Sequence, residues 1–338
     1  MDQPVVCSLV RPIKPAPVLP ADALHTLAAS GWVVLDRPLK GPMSSADLPE
    51  WIGPDAEAVL TSWGCPTFTP EVHRALPRLR FIGHCAGSVK ALVTPETFAA
   101  GVAVTSAVPV MAQAVAEYCL AVTLWSLLDL GPVSRAMREH PGRQGWQHRL
   151  SPRSRSLGGQ RIGIVSASRT ARAFIGLLRP FQCDIAVFDP TLTPGDAASL
   201  GVELVPLQEV MRRPIVSVHA PDLPATRGMI GREELACIPQ GGLLINSSRP
   251  SVLDEAALYE ALQDGRFSAV LDVYGQEPLP GSSPLYGLNN VLLTPHVAGY
   301  STDAYANLGR AVVADLLRWK AGEPMRMAVD GQRWEVLA

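Results

Sequence analysis

The chain has 338 residues, 47% hydrophobic and 18% charged, with a formal net charge of −2. That length suits two domains of ordinary size with sizeable cores, and the near-neutral balance excludes a nucleic-acid partner held by overall basicity. No apolar run is expected to reach the length of a membrane span, and MDQPVVCSLVRP lacks the long apolar stretch and small-residue cleavage site of a signal peptide, so a cytoplasmic protein with no membrane partner is expected.

In chain order, VVCSLV (5–10), WVVLD (32–36), EAVLTSW (57–63) and RFIGHC (80–85) predict buried strands. Between them ADALHTLAAS and TPEVHRALP have helical spacing, with Ser, Thr or Asp near their starts. Such alternation predicts an α/β fold with a parallel sheet covered by helices. AQAVAEYCLAVTLWSLLDL (112–130) predicts a long helix, apolar all round and therefore buried between domains or between subunits. The Pro-, Gly-, Ser- and Arg-rich PGRQGWQHRLSPRSRSLGGQ (141–160) predicts a connection.

A second alternation starts at Gln160. RIGIV, DIAVFD (184–189), IVSVHA (215–220), GLLINSS (242–248), SAVLDVY (268–274) and NVLLTPH (290–296) predict the strands of a doubly wound sheet, whose ligands sit at the carboxyl ends. A last helix is expected at about Thr302 to Ala321.

GIVSASRTAR (163–172) stands where a strand meets a helix, in the context of a dinucleotide-binding fingerprint, but with Ser166, Ser168 and Ala171 in place of its three glycines. A pyrophosphate is held by backbone N–H groups and the helix dipole, which need no glycine. Ala171 costs one methyl at the packing position. Ser168 either obstructs the phosphate or donates to it, Ser166 is strained if its φ is positive, and Arg169 adjoins the turn. Asp189 ends the next strand, 23 positions after Ser166, placed to take the ribose hydroxyls of NAD and to repel the extra phosphate of NADP.

From Arg135 to Arg179 there are ten arginines against Glu139 alone, read either as a solvated face or as a positive rim above an anionic ligand. Cys7, Cys65, Cys85, Cys119, Cys183 and Cys237 form no Cys-x-x-Cys pair, which fits reduced core thiols. His25, His73, His140 and His148 have no supporting motif, no residue spacing suggests a metal, and no Gly-x-Ser-x-Gly elbow suggests a hydrolase.

Three further segments end strands of the second alternation: INSSRPSVLDEAAL (245–258), LDVYGQEPLP (271–280) and LLTPHVAG (292–299). With SVHAPDLPATRGMI (217–230), LLRPFQCDIAVFDP (177–190) and VAEYCLA (115–121) in this order, the chain resembles the D-isomer-specific 2-hydroxyacid dehydrogenase family over nearly its whole length. The resemblance implies a Rossmann-like NAD-binding domain, 108–297, inserted into a smaller flavodoxin-like substrate-binding domain, 1–107, to which 298–338 returns. It implies a catalytic set of Arg249 (carboxylate anchor), Glu277 (partner of the histidine) and His296 (proton donor and acceptor). The implied cofactor-contacting residues are Ser168, Arg169, Thr170, Asp189, His219, Ala220, Pro221, Ser247, Ser248, Asp272 (nicotinamide carboxamide) and Gly299. His219 has no implied catalytic part. On the substrate side it implies Trp63 and the loop Ala86, Gly87 and Ser88 together with Arg249, with Lys90 beside them.

The expected cofactor is NAD(H) with no metal, and the expected partners are a small anionic substrate and a second copy in a homodimer. The expected reaction is hydride transfer between nicotinamide and a small 2-hydroxy or 2-keto acid, with phosphate- or phosphonate-bearing acids included. The alternative is a dinucleotide-sensing, catalytically weak binding protein. Departures from the family pattern are the missing glycines and Pro250, which follows the arginine where glycine is usual.

Overall fold

Runs of Val, Ile, Leu and Ala too short for helices build two all-parallel sheets, each within its own unit. The computed structural model describes residues 3–13, 16–147 and 151–336, and the chain divides into Met1–Met111 with Tyr300–Ala338, and Ala112–Gly299. His148 lies outside the described residues.

In the first unit the strands are β1 (Val5–Ser8), β2 (Val33–Asp36), β3 (Ala56–Thr61), β4 (Phe81–His84) and β5 (Ala103–Ser106), in the order β2-β1-β3-β4-β5. Val6, Leu60 and Phe81 pack under Leu308, Val312, Val313 and Leu316 of the helix Thr302–Lys320. The approach is close enough that a Cβ on Gly83 would lie 2.4 Å from Val312 Cγ1. The carboxylate of buried Asp315 accepts from Thr105 Oγ1 at 2.7 Å and from the N–H groups of Arg326 and Met327 at 2.8 Å each, fastening the C-terminal segment to β5.

The second unit has β6 (Arg161–Val165), β7 (Asp184–Phe188), β8 (Glu203–Leu204), β9 (Ile215–Val218), β10 (Leu243–Asn246), β11 (Ser268–Leu271) and β12 (Val291–Leu293). Their order is β12-β11-β10-β9-β6-β7-β8. The order reverses between β6 and β9, the switch point at which a doubly wound sheet leaves a crevice beyond its carboxyl edge. On one face Ala116, Cys119 and Val122 pack with Ile162, Ile164, Phe174 and Ile245.

The helix expected over 112–130 runs Val108–Leu127 and is buried along one stripe only, at Ala112, Ala116, Cys119, Val122, Thr123 and Leu127. Trp125 is 45% exposed, so burial on all sides does not occur within the chain. By length and composition alone this helix could also cross a membrane, contrary to the expectation from sequence. Its buried stripe, about a third of the helix, belongs to the sheet core. Among the described residues, the region expected to be connection, 141–160, contains a short helix, Arg143–Trp146.

His84 and His219 are buried, and desolvation lowers the pKa of each from 6.5 to about 4. Below pH 6.5 the unfolded chain binds protons that the folded sites refuse. The melting temperature is therefore expected to hold above pH 6.5 and to fall as pH drops toward 4. A flat thermal-denaturation profile across that window would contradict the burial of neutral rings.

Candidate active site

β6 runs into a turn at Ser166 and the helix Arg169–Leu178 opens from it. Ser166 has φ 73°, the left-handed conformation that glycine adopts freely and that costs another residue about 1–2 kcal/mol. Its N–H donates to Phe188 O at 2.7 Å, and its Oγ donates to Asp189 Oδ2 at 3.2 Å. Ser168 is the N-cap of this helix, and its Oγ accepts from Ala171 N–H at 3.4 Å. Ala171 is fully buried, and Arg172 Nε reaches back to Ala167 O at 2.9 Å, bracing the turn. The amides of Arg169 and Thr170 open the helix, where no intrahelical acceptor exists for them and the dipole is positive.

Asp189 stands beside this turn, and the chain itself occupies its carboxylate. Oδ2 accepts from Ala167 N–H at 2.8 Å as well as from Ser166, while Oδ1 accepts from Thr191 N–H at 2.8 Å and Thr191 Oγ1 at 2.7 Å. Four donors fill the roughly four acceptor positions of a carboxylate. Burial pushes this carboxyl upward, but the four hydrogen bonds together hold it below its ordinary value. His219 N–H joins β6 by donating to Val165 O at 2.9 Å. The ring of His219 is turned into the core, 2.9 Å from Ser217 Oγ and packed near Phe174. A contact with a ligand in the crevice is therefore left to its backbone, followed by buried Ala220 and half-buried Pro221.

After β10, buried Asn246 shapes the next loop. Its Oδ1 accepts from Ser248 N–H at 3.1 Å and Ser248 Oγ at 2.9 Å, and its Nδ2 donates to Arg249 O at 3.2 Å. Ser247 Oγ lies 3.2 Å from Cys119 Sγ, and burial pushes that thiol up to about 11, an unreactive form. Arg249 is extended, at φ −138° and ψ 136°, the region a following proline favours, and Pro250 opens a short 3₁₀ turn. The Arg249 side chain is exposed, with Nη1 donating to Ser248 O at 2.7 Å.

His296 and Glu277 meet beyond β11 and β12. Nδ1 of His296 lies 2.8 Å from Glu277 Oε2, and an ionised carboxylate only accepts, so Nδ1 carries the hydrogen and Nε2 points elsewhere. Burial pushes the Glu277 carboxyl upward, while the His296 hydrogen bond, the Tyr274 N–H and the charges of His296 and Arg249 bring it below its usual value. His296 has φ 55°, a left-handed conformation. Asp272 is fully buried and holds the backbone on either side of it. Oδ1 accepts from Thr294 Oγ1 at 2.5 Å and Val297 N–H at 2.8 Å, and Oδ2 accepts from Ala298 N–H at 2.9 Å, leaving about one acceptor position. Gly299 follows at the end of this unit.

A cleft of about 550 Å³ opens nearby, lined by Asn246, Pro250, Glu255, Tyr259, Tyr274 and Leu279 among others. Glu277, His296 and the Ser166–Thr170 turn are not in its lining, so it is not the reaction site.

In the first unit, the loop after β4 has its carbonyls pinned: Ser106 Oγ lies 2.6 Å from Gly87 O and 3.4 Å from Ala86 O. Ser88 Oγ accepts from Lys90 N–H at 3.3 Å. Trp63 is half-buried with its ring 5.3 Å from Tyr305.

The profile of the D-isomer specific 2-hydroxyacid dehydrogenase NAD-binding domain matches residues 124–298. A glyoxylate reductase of Korarchaeum cryptofilum is 31% identical over 255 residues, 75% of this chain and 76% of that protein. The chain belongs to the D-isomer specific 2-hydroxyacid dehydrogenase family. A D-3-phosphoglycerate dehydrogenase of Mycobacterium bovis is 31% identical over 317 residues, covering 93% of this chain but 58% of that longer protein. The crystal structure of a phosphoglycerate oxidoreductase from Rhizobium etli aligns with a TM-score of 0.79 at 25% identity, over 97% of this chain and 99% of that one.

For a D-isomer specific 2-hydroxyacid dehydrogenase, NAD is the group against which the second unit is tested. The residues fit its pyrophosphate. Ser166 has the backbone that a fingerprint glycine would supply, and the amides of Arg169 and Thr170 open the following helix. The ribose position also fits, with competition, because a sugar hydroxyl must displace a donor already on Asp189. Ser166→Gly removes the weakest of these, the 3.2 Å bond, together with the left-handed strain. The dissociation constant for NADH is expected to fall about tenfold, worth about 1.4 kcal/mol, with little change in melting temperature. Fluorescence titration of both forms measures this, and equal affinities would contradict competition at Asp189.

Several residues that shape the site lay outside the sequence-based set: Asn246, Tyr118, Thr294 and Tyr274. All four lie inside the segments that carry the resemblance, so their positions were visible but their partners were not. Tyr118 sits a long way off in the chain yet brings its Oη to 2.7 Å from Thr294 Oγ1.

Proposed function

We propose that the protein is an NAD-dependent oxidoreductase interconverting a small 2-keto acid and its D-2-hydroxy acid. The observation that carries this reading is the His296–Glu277 pair at 2.8 Å, beyond the same sheet edge as the β6–β9 crevice. Bound nicotinamide supplies or accepts the hydride at C2. His296 gives a proton to the carbonyl oxygen from Nε2 in reduction and takes it back in oxidation, while Glu277 keeps Nδ1 protonated and favours the charged ring. Arg249 holds the carboxylate with its planar fork and polarises the keto group. The loop 86–88 and Trp63 contribute on the substrate side.

NAD is preferred to NADP in this proposal, because Asp189 would face the extra phosphate of NADP. Phosphate- and phosphonate-bearing acids belong among the candidate substrates, since phosphoglycerate dehydrogenases are among the relatives. A homodimer in the cytoplasm completes the proposal, supported by the exposed apolar Trp125, Leu128, Leu130 and Met137 and by six free cysteines. The test is NADH oxidation with glyoxylate, hydroxypyruvate, phosphohydroxypyruvate and other 2-keto acids, compared with NADPH. NADH-dependent reduction of at least one acid to the D product is expected. A flat trace with all of them, in protein shown to bind NADH, would overturn it. That result would favour a dinucleotide sensor, a second reading supported by the filled Asp189 carboxylate.

A further inference from the structure

We propose that Tyr274 is a positioning residue that ties the two halves of the acid–base pair together. It lies three residues after β11, buried in the cluster formed by Leu253, Leu258 and Leu271. Its backbone N–H donates to Glu277 Oε1 at 3.1 Å, while the other oxygen of Glu277 takes the imidazole. Its phenol lies 2.8 Å from Thr294 O and 2.8 Å from Leu271 O, and its single proton is shared between these carbonyls. Thr294 O also accepts the N–H of His296 at 3.0 Å, the bond that closes the turn at Pro295 just before the left-handed His296.

One side chain and its own amide thus close a ring running Tyr274, Thr294, His296, Glu277 and back to Tyr274. Movement of either loop stretches a bond in that ring. Phenylalanine fills the same volume and would leave Thr294 O tied only to His296. Burial pushes the phenol up to about 12, so it stays a donor wherever the enzyme works. The other charged and titratable groups around the pair are Arg249, Asp272 and Tyr286.

The kinetic consequence rests on the oxidoreductase reading, but the geometry does not. The experiment is Tyr274→Phe, read in two ways. In the reductase assay, kcat is expected to fall about tenfold, equivalent to about 1.4 kcal/mol, with KM and NADH affinity unchanged. The alkaline limb of the pH–rate profile is expected to move to lower pH, as the carboxylate loses its alignment with the imidazole. By NMR of ring-labelled histidine without substrate, the His296 titration midpoint is expected to move the same way, even if no keto acid is turned over.

A lowered melting temperature with an unmoved pH limb and an unmoved NMR midpoint would overturn the proposal, leaving Tyr274 as packing only. If the phenylalanine variant does not fold, fluorotyrosine at 274 keeps the shape and strengthens the donor. A shifted His296 titration then supports the tie, and an unchanged one overturns it.

Discussion

Replacing His296 with asparagine is expected to lower kcat for keto-acid reduction by about 10²–10⁴, the usual contribution of a positioned proton donor, with NADH affinity unchanged. Asparagine is chosen because residue 296 has φ 55°, which asparagine tolerates better than alanine does. The loop held by Asp272 through Val297 and Ala298 then stays in place, and the loss reports proton transfer alone. In the variant, Glu277 remains but has no ring to orient. Steady-state kinetics alongside NADH titration checks the prediction. Undiminished turnover would remove His296 from the chemistry.

Arg249→Ala is expected to cost about as much, but mostly in substrate capture. A planar carboxylate takes two charge-assisted hydrogen bonds from a guanidinium, each worth about 1.5–3 kcal/mol. Losing both lowers kcat/KM by about 10²–10⁴. Arg249→Lys keeps a charge but loses the fork, so it is expected to recover only part of the loss. The backbone there is fixed independently of the side chain by Asn246 Nδ2 and by Pro250, so neither variant is expected to disturb the loop. Kinetics on the keto acid that serves as substrate, with circular dichroism as a folding control, checks this. A KM and kcat equal to wild type would place the carboxylate elsewhere.

Much of the second unit was legible because its strands are apolar runs ended by chemistry-bearing segments. Arg249, Glu277 and His296 each follow such a run, and the fold brings Glu277 and His296 together as the sequence led one to expect. β5 and β8 gave no comparable signal: β5 is AVTS, half of it polar, and β8 is two exposed residues. The helix Leu130–Glu139 was not expected from sequence; it carries Gly131 and Pro132 in its first turn, where a proline needs no N–H partner. What a fingerprint serine does could not be read from spacing. Ser166 turns its hydroxyl onto Asp189 and Ser168 turns its own onto the helix, and both depend on backbone angles set by the surrounding sheet. The same holds for His219, whose ring faces the core. Tyr274 was invisible as a functional residue because its tie to the histidine loop, through Thr294 O, depends on the segments after β11 and β12 being brought together.

The altered turn is where the whole mechanism either stands or fails, since without a bound dinucleotide no hydride reaches the acid. Isothermal titration of the purified protein with NADH measures this directly. A saturable exothermic response at one site per chain is expected, weakened or lost when Asp189 is replaced by alanine. No heat at millimolar NADH would contradict a working nucleotide site.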